Sequence, residues 1–148
     1  MNDELEDFVR DLQDRIDEDV LQTYGRAAYA RWREPRFVGS MDAPDGRGRV
    51  TGTCGDTMEI FLRFRNGRVE AATFMTDGCG SSIICGSFAA ELARGKTPEE
   101  LIDVTGERLL DCIGGLPEAE RHCAFLAAAA LREALEDCMK QAHETRTF

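Results

Sequence analysis

Two alternating segments joined by Asn66-Gly67 constrain the fold of this chain more than any other feature. In each segment apolar side chains recur at every second position, the period of a strand with one buried face. The recurring positions are Met58, Ile60, Leu62 and Phe64 in the first segment, and Val69, Ala71, Thr73 and Met75 in the second. Asn-Gly is the preferred dipeptide of a two-residue type I′ turn. The sequence therefore predicts an antiparallel hairpin.

The predicted turn also sets a register between the two strands. A two-residue loop pairs Thr57 with Thr76 and puts Cys54 level with Cys79, just beyond the paired region. Asp56 lies in the same tight turn as Cys54. The hairpin therefore predicts that Cys54, Asp56 and Cys79 share one end of the sheet.

Segments on both sides of the hairpin complete a small α+β domain. Residues 49–53 are predicted to form a shorter strand after a Gly- and Asp-rich loop over residues 39–48. Residues 5–33 are predicted to be helical, bent at Gly25 and ended by Pro35. The apolar stripe of that helix consists of Leu5, Phe8, Val9, Leu12, Ile16 and Val20.

Helices are also predicted after the hairpin. One follows Gly80 and is closed by Gly95, and a short one starts at Thr97-Pro98 and ends at Gly114-Gly115. Pro117 is expected to open the last helix, which should cross the sheet near Cys54. The predicted fold is a three-stranded antiparallel sheet with helices packed on one face, plus an extra N-terminal amphipathic helix.

The charge of the chain excludes several classes of partner. The formal net charge is −10 over 148 residues, a length that fits one domain. Nucleic acids and lipid headgroups are bound through basic patches, so neither is expected as a partner. The acidic start is not followed by an apolar stretch, and no run approaches the ~20 apolar residues of a membrane span. We predict a cytoplasmic protein.

The chain has six cysteines, and a reducing compartment argues against a disulfide framework for them. Cys85 and Cys138 lie on apolar helical stripes and are predicted to be core residues, and a core position is also favoured for Cys112. Cys54 and Cys79 lie in glycine-flanked turns, which rarely face inward. These two positions indicate a metal site or a reactive thiol site, and the spacing alone leaves a core role open as the alternative.

Three cysteine motifs resemble those of the IscU family and the N-terminal domain of NifU. They are Thr53 to Met58 (TCGDTM), Thr76 to Ser87 (TDGCGSSIICGS) and Leu116 to Cys123 (LPEAERHC). Shorter stretches at 34–39 and 92–98 are also similar. The resemblance covers about residues 24–140, so we expect an N-terminal helical extension at 1–23 and a scaffold domain at 24–148.

The resemblance implies a scaffold for iron–sulfur cluster assembly that is not itself an enzyme. Such a scaffold receives sulfur from a cysteine desulfurase, binds iron, builds a labile [2Fe–2S] cluster and passes it to apo acceptor proteins. Cys54, Cys79 and Cys123 match the family's cluster-binding cysteines. Asp56 and His122 match its aspartate and histidine and are further candidate metal ligands. Zinc is expected to occupy the site when it holds no cluster.

The match suggests how such a cluster could leave. Thiolates are the usual ligands of iron–sulfur clusters. A carboxylate or imidazole in the fourth position holds a cluster less firmly than a fourth thiolate would. Asp56 or His122 is therefore the expected labile ligand, and a simple hydrogen-bonding role for His122 is the alternative. A ligand from a second chain could also complete the site, which would give a cluster-bridged homodimer.

Two positions of this chain depart from the family motifs. The family's chaperone-recognition stretch carries a lysine where this chain has Glu120, which argues against that specialised chaperone as a partner. Cys85 replaces a serine of the family motif.

The main alternative function is a zinc-dependent persulfide relay, a SufU-like sulfurtransferase. His122 and the absence of an insertion between Gly95 and Pro117 argue against this relay. The other is a structural zinc-binding module.

Overall fold

The computed structural model describes residues 2–78, 80–114 and 116–146 and confirms the predicted α+β fold. Three strands form one antiparallel sheet in the order β1-β2-β3. The helices are α1 (Asn2–Arg33), α2 (Gly80–Ala93), α3 (Pro98–Ile102), α4 (Gly106–Ile113) and α5 (His122–Arg146). The strands are β1 (Gly46–Thr51), β2 (Thr57–Arg65) and β3 (Arg68–Thr76), and a 3₁₀ turn spans Glu118–Glu120.

The hairpin turn is as predicted, but the register beyond it is not. Asn66 and Gly67 have φ values of 55° and 77°, as a type I′ turn requires. A β-bulge then shifts the pairing between Arg63 and Phe64. Thr76 consequently pairs with Met58, so the predicted pairing with Thr57 was wrong by one residue. An extra residue in one strand of a pair causes such a shift.

The bulge also changes which residues of β3 face the core. Before it Val69 is buried as predicted, whereas after it the buried residues are Ala72 and Phe74. The predicted alternation through Ala71, Thr73 and Met75 was therefore wrong, and Met75 is 44% exposed. A one-residue insertion moves every later side chain to the opposite face of the sheet.

Strand β1 starts earlier than predicted because α5 packs directly on it. A Cβ atom built on Gly48 would lie 2.1 Å from the carbonyl oxygen of Ala130, and one on Gly46 would lie 2.1 Å from Cys138 Sγ. Only glycine allows helix and strand backbones to approach so closely. The prediction of a loop up to residue 48 was wrong for this reason, since the glycines belong to the strand.

Short capped helices cover the segment between α2 and α5. Thr97 and Glu100 form a capping box at the start of α3, and Thr105 caps α4. The single helical segment predicted here is thus two helices. Gly114, at φ 81°, ends α4 in the left-handed conformation. Gly115 lies outside the described residues.

Helix α1 is bent at Gly25, as predicted, and its two halves differ in burial. Gly25 has φ 86° and ψ 176°, which no α-helix contains. In the second half Ala28 is fully buried, and Arg31 pairs with Glu91. The first half exposes its apolar stripe, with side chains 41–65% accessible. The exposed members are Leu5, Phe8, Val9, Leu12 and Ile16, and the side chain of Val20 lies outside the described part.

None of the helices in the described ranges combines the length and the apolar character that crossing a bilayer would require.

Candidate metal centre

The first candidate ligands lie in the turn that joins β1 to β2. The Gly52 N–H donates to the Asp56 carbonyl at 2.9 Å, and the Gly55 N–H donates to the Gly52 carbonyl at 3.0 Å. Gly55 has φ 92°, a conformation that favours glycine. These bonds close a tight loop that leaves Cys54 exposed and Asp56 half-buried.

Cys123 approaches the same end of the sheet from α5. The last helix does not open at Pro117 as predicted, because residues 118–120 form a 3₁₀ turn and α5 begins at His122. Such turns commonly precede α-helices. Cys123 is therefore the second residue of α5, and it is only 3% exposed.

A buried hydroxyl lies between these two elements. Ser82, in the first turn of α2, is fully buried. Its Oγ donates to Asp56 Oδ2 at 3.3 Å and lies 3.6 Å from Cys123 Sγ. His122 is exposed, and its Nε2 lies 3.7 Å from Cys123 Sγ. The structure thus brings Asp56, His122 and Cys123 into one connected group of side chains.

Cys54 lies toward the same helix end. A Cβ built on Gly52 would lie 3.6 Å from Cys54 Sγ and 3.5 Å from Leu126 Cδ1. Leu126 is three residues after Cys123 on α5, about one turn of the helix. The Cys54 turn therefore lies against the first turns of α5.

Cys79 lies outside the described residues, but both of its neighbours in the sequence are described. A Cβ built on Gly78 would lie 2.3 Å from Ser82 Oγ and 2.9 Å from Asp56 Oδ2. The Gly78 N–H donates to Thr76 Oγ1 at 3.1 Å. The backbone just before Cys79 therefore touches the same group of side chains as Asp56.

The described residues contain no group of three or more His, Cys, Asp or Glu side chains that could hold a metal ion. The described candidates are two cysteines, one carboxylate and one imidazole. Thiolate, carboxylate and imidazole are all ligands of zinc, and thiolates are the usual ligands of iron–sulfur clusters. The donor types at this end of the sheet therefore suit either kind of group.

The remaining cysteines have different environments. Cys85 is fully buried, as predicted, and burial, with further contributions from Cys123 and Glu120, raises the pKa of its thiol. Cys138 is 9% exposed, also as predicted, and burial, together with Asp45 and Asp137, raises its pKa to about 12. Burial therefore favours the protonated form of both thiols at neutral pH.

The core position favoured for Cys112 was wrong, since its side chain is exposed. Leu109 and Ile113 occupy the inner face of α4, with exposed fractions of 0% and 3%. Cys112 therefore falls on the outer face of the same helix.

Ser82 touches two candidate ligands, but no feature of the sequence identified it as a site residue. Its position three residues after Cys79, in the first turn of a predicted helix, was the available signal.

The NifU-like N-terminal domain family matches residues 23–145 of the chain. The protein belongs to this family. The matched range contains all three strands of the sheet and helices α2 to α4. Most of the first half of α1 precedes this range.

A relative agrees with this membership, and solved structures agree with the fold. The iron–sulfur cluster assembly scaffold protein IscU 1 of Archaeoglobus fulgidus is 38% identical over 119 residues, which cover 80% of this chain and 78% of that protein. The NifU-like N-terminal protein of Brucella abortus has a TM-score of 0.57 at 21% identity, covering 84% of this chain and 97% of that one. A protein from Fervidobacterium islandicum AW-1, described as an assembly scaffold for the SUF system, has a TM-score of 0.63 at 17% identity, covering 78% and 98%. At these identities the two structures show the fold alone.

Proposed function

We propose that this protein is a non-enzymatic scaffold on which a [2Fe–2S] cluster is built from iron and from sulfur supplied by a cysteine desulfurase. The cluster is the cargo of the scaffold and passes on to apo acceptor proteins. Membership of the NifU-like family and the name of the Archaeoglobus relative support this function. The observation that carries it for this chain is the connection of Asp56 and Cys123 through Ser82 at the end of the sheet that bears Cys54.

The proposed ligands are Cys54, Cys79 and Cys123, with Asp56 or His122 in the fourth position. Cys54 is exposed and can meet incoming sulfur, whereas Cys123 is buried and holds the inner side of the site. A carboxylate binds iron less firmly than a thiolate does, so Asp56 would give the cluster a side from which it can be released. We further propose a cytoplasmic location, where thiols remain reduced.

Anaerobic reconstitution with ferrous iron, cysteine and a desulfurase tests this function. We expect a [2Fe–2S] Mössbauer spectrum, matched by iron and sulfide analysis, and transfer of the cluster to an apo-ferredoxin. Cys54→Ser, Cys79→Ser and Cys123→Ser should each abolish the stable cluster. Cys112→Ser is the matched control, because it changes an exposed cysteine on α4 and should leave the spectrum unchanged.

The same experiment separates the scaffold from the zinc-dependent persulfide relay. If no cluster formed, and one tightly bound zinc ion made the chain accept persulfide and accelerate the desulfurase, the relay would replace the scaffold. Zinc in the purified protein would not by itself favour the relay, since both sites use thiolate ligands.

A further inference from the structure

Ser82 connects two candidate ligands that come from different parts of the chain. Its Oγ lies 3.3 Å from Asp56 Oδ2, in the β1–β2 turn, and 3.6 Å from Cys123 Sγ, at the start of α5. Ser82 itself is fully buried on α2. Three elements therefore meet at one hydroxyl group, and its contacts can order the side chains on both sides.

The chemistry of the three groups determines the direction of the hydrogen bonds. A serine hydroxyl has one proton, and an ionised carboxylate can only accept. Ser82 therefore donates its proton to Asp56. Its oxygen lone pairs remain available to the Cys123 thiol. This arrangement orients the hydroxyl and holds the Asp56 carboxylate on the side of the turn that faces Ser82 on α2.

Gly78 provides the space for this contact. A side chain at that position would place its Cβ 2.3 Å from Ser82 Oγ and 2.9 Å from Asp56 Oδ2, and both distances are too short for real atoms. The pairing of Ser82 with Asp56 therefore depends on a glycine next to Cys79 in the sequence.

Neighbouring serines show that burial on α2 does not by itself produce such a contact. Ser81 is 1% exposed, and its hydroxyl has no hydrogen-bond partner among the described residues. Ser87 is fully buried and donates to the Arg36 carbonyl at 3.1 Å, away from the candidate ligands. Of these three buried serines, Ser82 is the one in contact with candidate metal ligands.

We propose that Ser82 is a positioning residue that holds the Asp56 carboxylate beside the Cys123 sulfur and thereby increases the affinity of the site for metal. The proposal deepens the proposed function, because it rests on the same choice of ligands. Residues that orient a metal ligand typically change metal affinity by about 10–100-fold when they are replaced.

Zinc binding to the apo-protein, measured by competition with a chromophoric chelator, tests this role. Ser82→Ala is expected to lower the zinc affinity about tenfold. Ser87→Ala removes an equally buried hydroxyl from the same helix and should leave the affinity unchanged. In an Asp56→Ala background, Ser82→Ala should change the affinity less than about twofold, because the contact through which Ser82 acts is already gone.

Amide hydrogen exchange in the metal-free protein gives a second readout. Ser82→Ala should accelerate exchange at Gly52, whose N–H bond to the Asp56 carbonyl closes the turn, and Ser87→Ala should not. If Ser82→Ala does not fold, Asp56→Ala breaks the same contact from the half-buried side and should accelerate the same amide.

The proposal is overturned if Ser82→Ala binds zinc as the wild type does, or if it has the same effect with and without Asp56. Unchanged exchange at Gly52 in both variants would also overturn it. These measurements need no desulfurase and no cluster. A chain that binds zinc as expected but never transfers a cluster would therefore refute the proposed function and leave the role of Ser82 standing.

Discussion

Replacing Gly78 with alanine is expected to force Ser82 and Asp56 apart. The new Cβ would lie 2.3 Å from Ser82 Oγ, 2.7 Å from Ser82 Cβ and 2.9 Å from Asp56 Oδ2, whereas ordinary contacts begin at 3.4 Å. Ser82 is fully buried, and its Cβ cannot move unless α2 moves. The backbone at Gly78 must therefore shift away from α2 by about 1 Å, which displaces the neighbouring Asp56 carboxylate, and overpacking of this kind costs about 1–3 kcal/mol.

Urea unfolding and zinc titration together measure this effect. Gly55→Ala is the matched control: Gly55 has φ 92°, and an added Cβ would meet no atom within 4 Å, so its cost of about 1–2 kcal/mol comes from backbone strain alone. Gly78 does not have a positive φ, so its cost is steric. We expect Gly78→Ala to lower the zinc affinity more than Gly55→Ala does.

A double mutant provides the sharpest check. Ser82→Ala removes the oxygen that the new methyl group would approach most closely, so it should relieve part of the cost of Gly78→Ala. We expect the free energies of unfolding of the two changes to differ from additivity by about 1 kcal/mol. Additive effects, or a Gly78→Ala protein as stable as the wild type, would refute the steric argument.

Three further predictions concern the rest of the molecule. Gly48→Ala should lower the free energy of unfolding by about 3 kcal/mol, since its Cβ would lie 2.1 Å from a carbonyl oxygen of α5, whereas Gly67→Ala in the exposed turn should cost about 1 kcal/mol. Burial, with two nearby aspartates, raises the pKa of Cys138 from 9.0 to about 12. The stability that its neutral thiol contributes should thus be complete below pH 9 and fall as the pH rises toward 12, and a pH-independent difference between wild type and Cys138→Ala in urea unfolding would contradict this. Deleting residues 1–23 should change the free energy of unfolding of the remaining chain by less than about 1 kcal/mol, because the exposed apolar stripe of that segment is 41–65% accessible and the ion pair of Asp17 with Arg33 is long, at 3.9 Å; a larger loss would mean that residues 1–23 stabilise the rest of the chain.

Local sequence patterns were sufficient to predict the hairpin and most of the helix ends. A two-residue period, an Asn-Gly turn and capping residues act over short distances, so their effects can be read locally. The burial of Cys85 and Cys138 followed in the same way from apolar helical stripes. The family, and with it the candidate ligands, could also be recognised from three short motifs.

The strand register, the buried face of β3 and the contacts of Ser82 depend on how distant segments pack together. The bulge beside Phe64 shifted the register of β3 by one residue. Gly48 lies in a strand because α5 packs against it. Ser82 lies 26 residues from Asp56 and 41 residues from Cys123 in the sequence. No local pattern predicts that these side chains meet, because their distance depends on how the sheet, α2 and α5 pack together.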